Sequence, residues 1–277
     1  MTETFGELAA LRNVELAEME ERAALQSRFD RKYIVPVGEA RWLLESLAPE
    51  ARVLEIGGVR HFTYESLYLD TPDLVSYLRT AHRHRRRFKV RTRTYVDSSS
   101  HWLEVKVPGP RGSTVKYRAP HVPGQDPAGE FLDDVFARHG VTATDHAGLA
   151  PTLRTAYLRF ALLLPGDSRV TVDTDLRWTA VWSSALIQTR TPHGIGVGVG
   201  GDGGRELWLP GVAIVETKTG STASGADRRL WHRGHRPVAI SKYATGLAAL
   251  RADLPAAPWR RVLRKHFTAA REELFHG

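Results

Sequence analysis

Three consecutive stretches of this chain alternate between charged and apolar or β-branched side chains at every residue. They are Arg87-Phe88-Lys89-Val90-Arg91-Thr92-Arg93-Thr94-Tyr95, Trp102-Leu103-Glu104-Val105-Lys106-Val107 and Ser113-Thr114-Val115-Lys116-Tyr117-Arg118. Successive side chains of a strand point to opposite faces, so a period of two marks strands with one wet and one buried side. Pro108-Gly109-Pro110-Arg111-Gly112 separates the last two stretches, and turn residues of that kind predict an antiparallel meander. Arg87, Lys89, Arg91 and Arg93 then share one face, opposite Phe88, Val90, Thr92 and Thr94. Glu104 and Lys106 oppose Leu103, Val105 and Val107. Lys116 and Arg118 oppose Val115 and Tyr117.

The same pattern recurs along the chain. Strands are predicted at 28–35, 63–69, 169–173, about 178–189, 206–209 and 212–219, whereas 152–163 fits helix or strand. In them Arg169, Thr171 and Asp173 oppose Val170 and Val172, and Ile214, Glu216 and Lys218 oppose Ala213 and Val215. Helices are predicted at 5–26, 38–48, 129–140, 242–252 and 258–275 from apolar residues at helical spacing. The run from Gly194 to Gly204 opens no helix after a strand and reads as a flexible hairpin tip.

A charged strand face is ordinarily a face in water. Here the faces carry ladders of cations with single carboxylates, and amphipathic helices are available to cover the apolar side. That combination suits an α+β fold: a closed or strongly curved antiparallel barrel, helices outside and cations inside. Two cations ~6 Å apart at an effective dielectric of ~20 repel by roughly 3 kcal/mol. A cation-lined interior therefore needs anions to neutralise it. The chain as a whole carries a formal charge of +8, which also points to a polyanionic partner. Arg offers planar forks for phosphate oxygens and Lys offers point charges. The carboxylates of interest are Asp30, Glu104, Asp173 and Glu216. Hard oxygen ligands suit Mg²⁺ or Mn²⁺ bridging phosphates, and a salt bridge to a neighbouring cation is the alternative for each.

Other chemistries are excluded. With no cysteine there is no disulfide framework, thiolate metal site or Cys nucleophile. No P-loop, nucleophile elbow or kinase motif set is present. His82, His84, His101, His121 and His139 lack metal-ligand spacing and read as surface residues. No apolar run is long enough to span a bilayer, and Met1-Thr2-Glu3-Thr4 is no signal peptide, so a cytoplasmic protein is expected. Phe88 lies opposite the Arg ladder, which disfavours nucleic-acid binding by base stacking.

An ordered set of segments resembles the VTC-type polyphosphate polymerase domain of the triphosphate tunnel metalloenzyme (CYTH-like) superfamily. The segments are Arg28-Phe29-Asp30-Arg31-Lys32-Tyr33, Tyr68-Leu69-Asp70-Thr71-Pro72-Asp73, Arg85 through Arg93, Leu103-Glu104-Val105-Lys106, Pro151-Thr152-Leu153-Arg154, Arg169 through Asp173, Val215-Glu216-Thr217-Lys218 and Ser241-Lys242-Tyr243. The resemblance implies an antiparallel tunnel of about eight strands, a divalent Mn²⁺ or Mg²⁺, and ATP and inorganic polyphosphate as partners. It implies catalytic roles for Arg91, Arg93, Arg154, Arg169 and Lys242. It implies substrate contacts for Lys32, Lys89, Lys106, Lys116, Lys218 and Ser241, and metal contacts for Glu216 and Glu104. The expected organisation is an N-terminal helix (1–26), the catalytic domain (27–254) and a helical tail (255–277). Where the wider superfamily has Glu-x-Glu-x-Lys, this chain has Arg28, Asp30 and Lys32, which argues against a second metal. A triphosphatase or polyphosphate hydrolase of the same fold, and a non-catalytic polyphosphate-binding module, are the competing readings.

Overall fold

A computed structural model describes residues 5–24, 29–110, 113–127, 129–181, 205–220 and 222–268. Arg28, Arg111, Gly112, most of 178–189, the run Gly194 to Gly204 and the end of the tail lie outside the described residues. In chain order the elements are β1 (Arg12–Val14), α1 (Leu16–Ala24), β2 (Phe29–Pro36), α2 (Val37–Leu47), β3 (Arg52–Leu54), β4 (Phe62–Asp70), α3 (Val75–Ala81), β5 (Lys89–Tyr95), β6 (Ser100–Pro108), β7 (Thr114–Pro120), α4 (Glu130–Arg138), α5 (Ala143–His146), β8 (Ala150–Leu164), β9 (Ser168–Ala180), β10 (Glu206–Leu209), β11 (Val212–Thr219), α6 (Gly225–His232), α7 (Lys242–Leu250) and α8 (Arg260–His266). The fold is α+β. Hydrogen bonds join eleven described strands, eight of them in the order β2-β11-β9-β8-β4-β5-β6-β7, where about eight were expected; β1, β3 and β10 pair off this path. Among the described residues no ladder joins its ends, β2 and β7. The segment 152–163, open between helix and strand in the sequence, is the interior of β8.

The chain forms two units. The first comprises Met1–Thr63, Tyr157–Leu176 and Leu209–Ala239. In it β11 pairs with β2 from Val212↔Pro36 to Thr219↔Phe29, and with β9 from Ile214↔Asp173 to Lys218↔Arg169. Tyr33, Val35, Val170, Val172, Ala213 and Val215 form the buried face, against Leu43, Leu44 and Leu47 of α2 and Leu230 of α6. Full burial of such a side chain contributes roughly 1.5–3 kcal/mol, which fixes which face of these strands turns inward. The single helix expected over 5–26 is instead a 3₁₀ turn at Gly6–Ala10, then β1, then α1. Arg12-Asn13-Val14 extends to pair in parallel with β3, burying Val14, and the Arg60 guanidinium accommodates the carbonyls of Leu8, Ala9 and Leu11 that the interrupted helix leaves over.

The second unit comprises Tyr64–Ala156, Arg177–Trp208 and Ile240–Gly277. Its meander β4-β5-β6-β7 buries Leu69, Val90, Leu103, Val105 and Val107 against Leu132, Val135 and Phe136 of α4. Phe88 joins that core at 1% exposure, opposite the charged ladder as alternation requires. Helix α3 was not marked by the sequence pattern. Asp70 builds it: Oδ1 accepts from the Thr71 and Ser76 amides and Oδ2 from the Tyr77 amide, and the Tyr243 hydroxyl donates to the same Oδ2. One buried carboxylate thereby ties the end of β4 to both α3 and α7.

Candidate functional site

Register turns the alternation of the second unit into a grid. Tyr68↔Arg91↔Glu104↔Arg118 is one row, and Lys89↔Lys106↔Lys116 is the next. Ser66↔Arg93↔Trp102 lies on the other side, followed by Tyr64↔Tyr95↔Ser100. Directly paired residues share a face. Six cations therefore stand on one face with Glu104 as the carboxylate among them: Lys89, Arg91, Arg93, Lys106, Lys116 and Arg118.

Glu104 has a fully buried side chain. Its Oε2 accepts from Arg91 Nε at 2.7 Å and Nη2 at 2.5 Å, and its Oε1 from Lys116 Nζ at 3.3 Å. Burial pushes its carboxyl pKa up, but Arg91, Arg93 and Lys116 outweigh that and hold it far below the usual carboxylate range. Burial in turn pulls the Lys116 ammonium below its ordinary value, with Glu104 opposing. Arg91 is only 8% exposed and Arg93 7%. Arg91 Nη1 also donates to the Tyr68 hydroxyl at 3.1 Å, and the Tyr68 ring stacks on Tyr243 at 5.1 Å. Arg93 lies over the Tyr64 ring, 5.3 Å from its centroid. These guanidiniums are oriented by aromatic neighbours that the sequence reading did not include in the site.

Ser241 and Lys242 begin α7. The Ser241 hydroxyl caps the helix, accepting from the Ala244 amide at 3.2 Å, and Lys89 Nζ donates to it at 3.2 Å. The Lys242 carbonyl accepts from Trp178 Nε1 at 2.7 Å. Gly246 faces the same indole; a Cβ there would fall 2.2 Å from Trp178 Cδ1, so only glycine lets α7 lie this close. Arg154 stands exposed on β8, and no described contact ties it to Glu104.

In the first unit β2, β11 and β9 assemble a second charged face. Lys32 pairs with Glu216, Asp30 with Lys218, and Lys218 with Arg169. Lys218 Nζ contacts Glu216 Oε1 and lies 3.2 Å from Asp30 Oδ2, and Lys32 Nζ lies 4.0 Å from Glu216 Oε1. Burial raises the Glu216 pKa, and Lys218, Lys32 and Arg159 more than reverse this, so the carboxylate is ionised well below its usual range. Arg159 grips the buried Asp173 with Nε at 2.5 Å and Nη2 at 2.8 Å. Arg159 was absent from the sequence-derived set, because a segment open between helix and strand gives its residues no face. On the reverse side of these strands the Tyr33 and Thr217 hydroxyls donate to Asp227 Oδ1 at 2.7 and 2.6 Å, and Asp227 Oδ2 accepts from the Ser224 amide and hydroxyl. That buried cluster locks α6 to β2 and β11 and fixes the register that sets Lys32 beside Glu216.

Each of the four carboxylates singled out in the sequence rests on a cation of the chain. Among the described residues no three His, Asp or Glu come together in a metal-holding group. Glu216 is nonetheless a hard, ionised oxygen donor. A Mg²⁺ or Mn²⁺ that keeps waters and takes the remaining oxygens from phosphates needs only one or two protein carboxylates. The donor set fits such a site and does not fit an all-protein cage.

A model of the VTC domain matches residues 27–251. The chain belongs to the VTC domain family. A search of curated proteins finds no match. Solved structures similar to this VTC domain include a candidate adenylate cyclase from Vibrio parahaemolyticus, at 13% identity, TM-score 0.41 and coverage of 80% of this chain and 98% of that one. Another is a Hippeastrum protein described as a candidate adenylyl cyclase with dominant triphosphatase activity, at 14% identity, TM-score 0.41 and coverage of 80% and 96%. A third is a conserved hypothetical protein from Pyrococcus furiosus, at 14% identity, TM-score 0.37 and coverage of 75% and 88%. No helix among the described residues of this VTC domain is long and apolar enough to cross a membrane.

Proposed function

We propose that this VTC domain is a cytoplasmic polyphosphate polymerase that moves the γ-phosphoryl group of ATP onto the end of a growing phosphate chain. The observation that supports it most is the cation ladder on β5, β6 and β7, where Lys89, Arg91, Arg93, Lys106, Lys116 and Arg118 share one strand face. Such a surface is stabilised by a ligand with several closely spaced negative charges, and ATP and polyphosphate both supply them.

The reaction breaks the bond between the γ-phosphorus and the β,γ-bridging oxygen. It forms a new anhydride bond from the terminal oxygen of the phosphate chain, and ADP leaves with the bridging electrons. The attacking oxygen is already ionised at neutral pH, so the chain need not provide a nucleophile or a base. What it must provide is alignment and charge neutralisation. Arg91 and Arg93, held by Glu104, Tyr68 and Tyr64, would stabilise charge on the transferring oxygens. In the second unit Arg154 and Lys242 would assist, and Lys89, Lys106, Lys116 and Ser241 would contact phosphates; in the first unit Arg169 would assist, and Lys32 and Lys218 would contact phosphates. Glu104 has its oxygens engaged by Arg91 and Lys116, so its part is to fix Arg91, and Glu216 is the carboxylate for Mn²⁺ or Mg²⁺. When bound, that cation would supply phosphate charge neutralisation.

The deciding experiment incubates the purified chain with ATP and Mn²⁺ and sizes the phosphate products on a gel. Long polymer with stoichiometric ADP is expected. Orthophosphate without polymer would replace the polymerase with a triphosphatase, and binding without turnover would leave a polyphosphate-binding module.

A further inference from the structure

The grid on β4 to β7 changes character along the strands. Its first row is Lys89, Lys106 and Lys116; the second is Tyr68, Arg91, Glu104 and Arg118; the third is Ser66, Arg93 and Trp102; the fourth is Tyr64, Tyr95 and Ser100. Cations give way to aromatic rings in steps of two residues, each about 6.7 Å. The rings at the far end are not core. Trp102, Tyr64 and Tyr95 are each partly exposed, on the charged face and opposite the Leu103 and Val105 side. Two of them already hold a planar cation against a π face: Arg118 sits 4.6 Å from the Trp102 centroid and Arg93 5.3 Å from that of Tyr64. Tyr64 and Tyr95 meet edge to face at 5.0 Å, a favoured aromatic geometry.

A nucleoside triphosphate has the same gradient built into it, from anionic phosphates through a ribose to a flat aromatic base. A bare phosphate chain has no part that the fourth row would recognise. We propose that Trp102, with Tyr95 diagonal to it in the next row and Tyr64 paired to Tyr95 beyond, is a nucleobase-stacking subsite that seats the base of the donor nucleotide while Arg91 and Arg93 take its phosphates. This rests on the ATP-dependent reading above and adds to it how the donor is told apart from the polymer. Stacking on an aromatic side chain tolerates every base and favours the larger purines. The observation that Phe88 is buried on the opposite face therefore does not dispose of base recognition, because the relevant rings come from other positions.

Calorimetric titration of the full chain with ATP and with inorganic tripolyphosphate tests it. Trp102→Leu should weaken ATP binding by about 5- to 100-fold and leave tripolyphosphate within about twofold. Trp102→Phe, which keeps a ring, should retain most of the ATP affinity. Equal losses for both ligands, or no loss for either, would overturn the subsite while the unmodified chain's binding of both ligands still supports the proposed function. Failure of the unmodified chain to bind either ligand would remove the proposed function along with it. Tighter Trp102-dependent binding of an oligoadenylate than of ATP would replace the nucleotide with single-stranded RNA.

Discussion

The two charged faces of this molecule differ in how they are balanced. On β5 to β7, Glu104 stands alone among cations and is held by a rigid Arg fork that a Tyr hydroxyl pins in turn. On β2, β8, β9 and β11, Lys32, Lys218, Arg159 and Arg169 meet Asp30, Asp173 and Glu216, so charge nearly cancels and single ammonium groups are the commonest partners. The first face groups six strand cations around one described strand carboxylate, Glu104. The second is close to neutral. Similar strand patterns thus yield two different electrostatic tasks, and the difference lies in which carboxylates the register brings alongside.

The sharpest way to break this comparison is to neutralise each central carboxylate. Glu104→Gln leaves Arg91 and Lys116 without their buried counter-charge and should cost about 3–5 kcal/mol in a denaturant melt. Glu216→Gln should cost clearly less, because Asp30 still partners Lys218 and Asp173 still partners Arg159. Equal costs would mean that the two faces are not distinct. The pH dependence follows from the same depressed carboxyl. A group whose folded pKa lies below its unfolded value of 4.5 contributes stability that is fully present above that value and is lost as the pH falls toward the folded one. The native chain should therefore lose stability below about pH 4.5 more steeply than Glu104→Gln does.

Much of this contrast was legible in the sequence. Alternation alone placed Lys89, Arg91 and Arg93 on one face, set Glu104 with Lys106, and put Ile214, Glu216 and Lys218 together. What it could not supply was register, which decides that Arg91 meets Glu104 and that Trp102 lies next to Arg93. Arg159 escaped because its strand has no clean period. Helix α3 escaped because its seven residues are organised by Asp70 and by Leu74 at φ 55°, a conformation that side-chain periodicity does not encode. The interrupted helix at 5–24 fails for a related reason: Leu8 and Leu11 fit a helical stripe locally, and pairing with β3 overrides it.

Smaller effects sharpen the picture. Gly246→Ala drives a methyl into Trp178 and should lower stability by about 1–3 kcal/mol, read as a drop in Tm; a neutral result would mean that α7 can shift away from the indole. If Glu216 holds the cation, Glu216→Gln should raise the Mn²⁺ concentration for half-maximal turnover by about tenfold or more, on the scale seen for groups supporting a metal, whereas Tyr68→Phe should leave that concentration unchanged. An identical metal titration for Glu216→Gln and the unmodified chain would reject the assignment. Asp30→Asn, a half-exposed member of its pair, should change stability by no more than about 1 kcal/mol.

Lys218 shows why the near-neutral face can be selective. Its ammonium is a counter-ion tethered to the backbone, already seated between Asp30 and Glu216. A free potassium or sodium ion brings the same single charge and pays an entropy cost that the tethered one does not. If Glu216 takes a cation as proposed, only an ion of higher charge density gains by pushing the ammonium aside, so monovalent salts should not compete at the concentrations where Mn²⁺ or Mg²⁺ does.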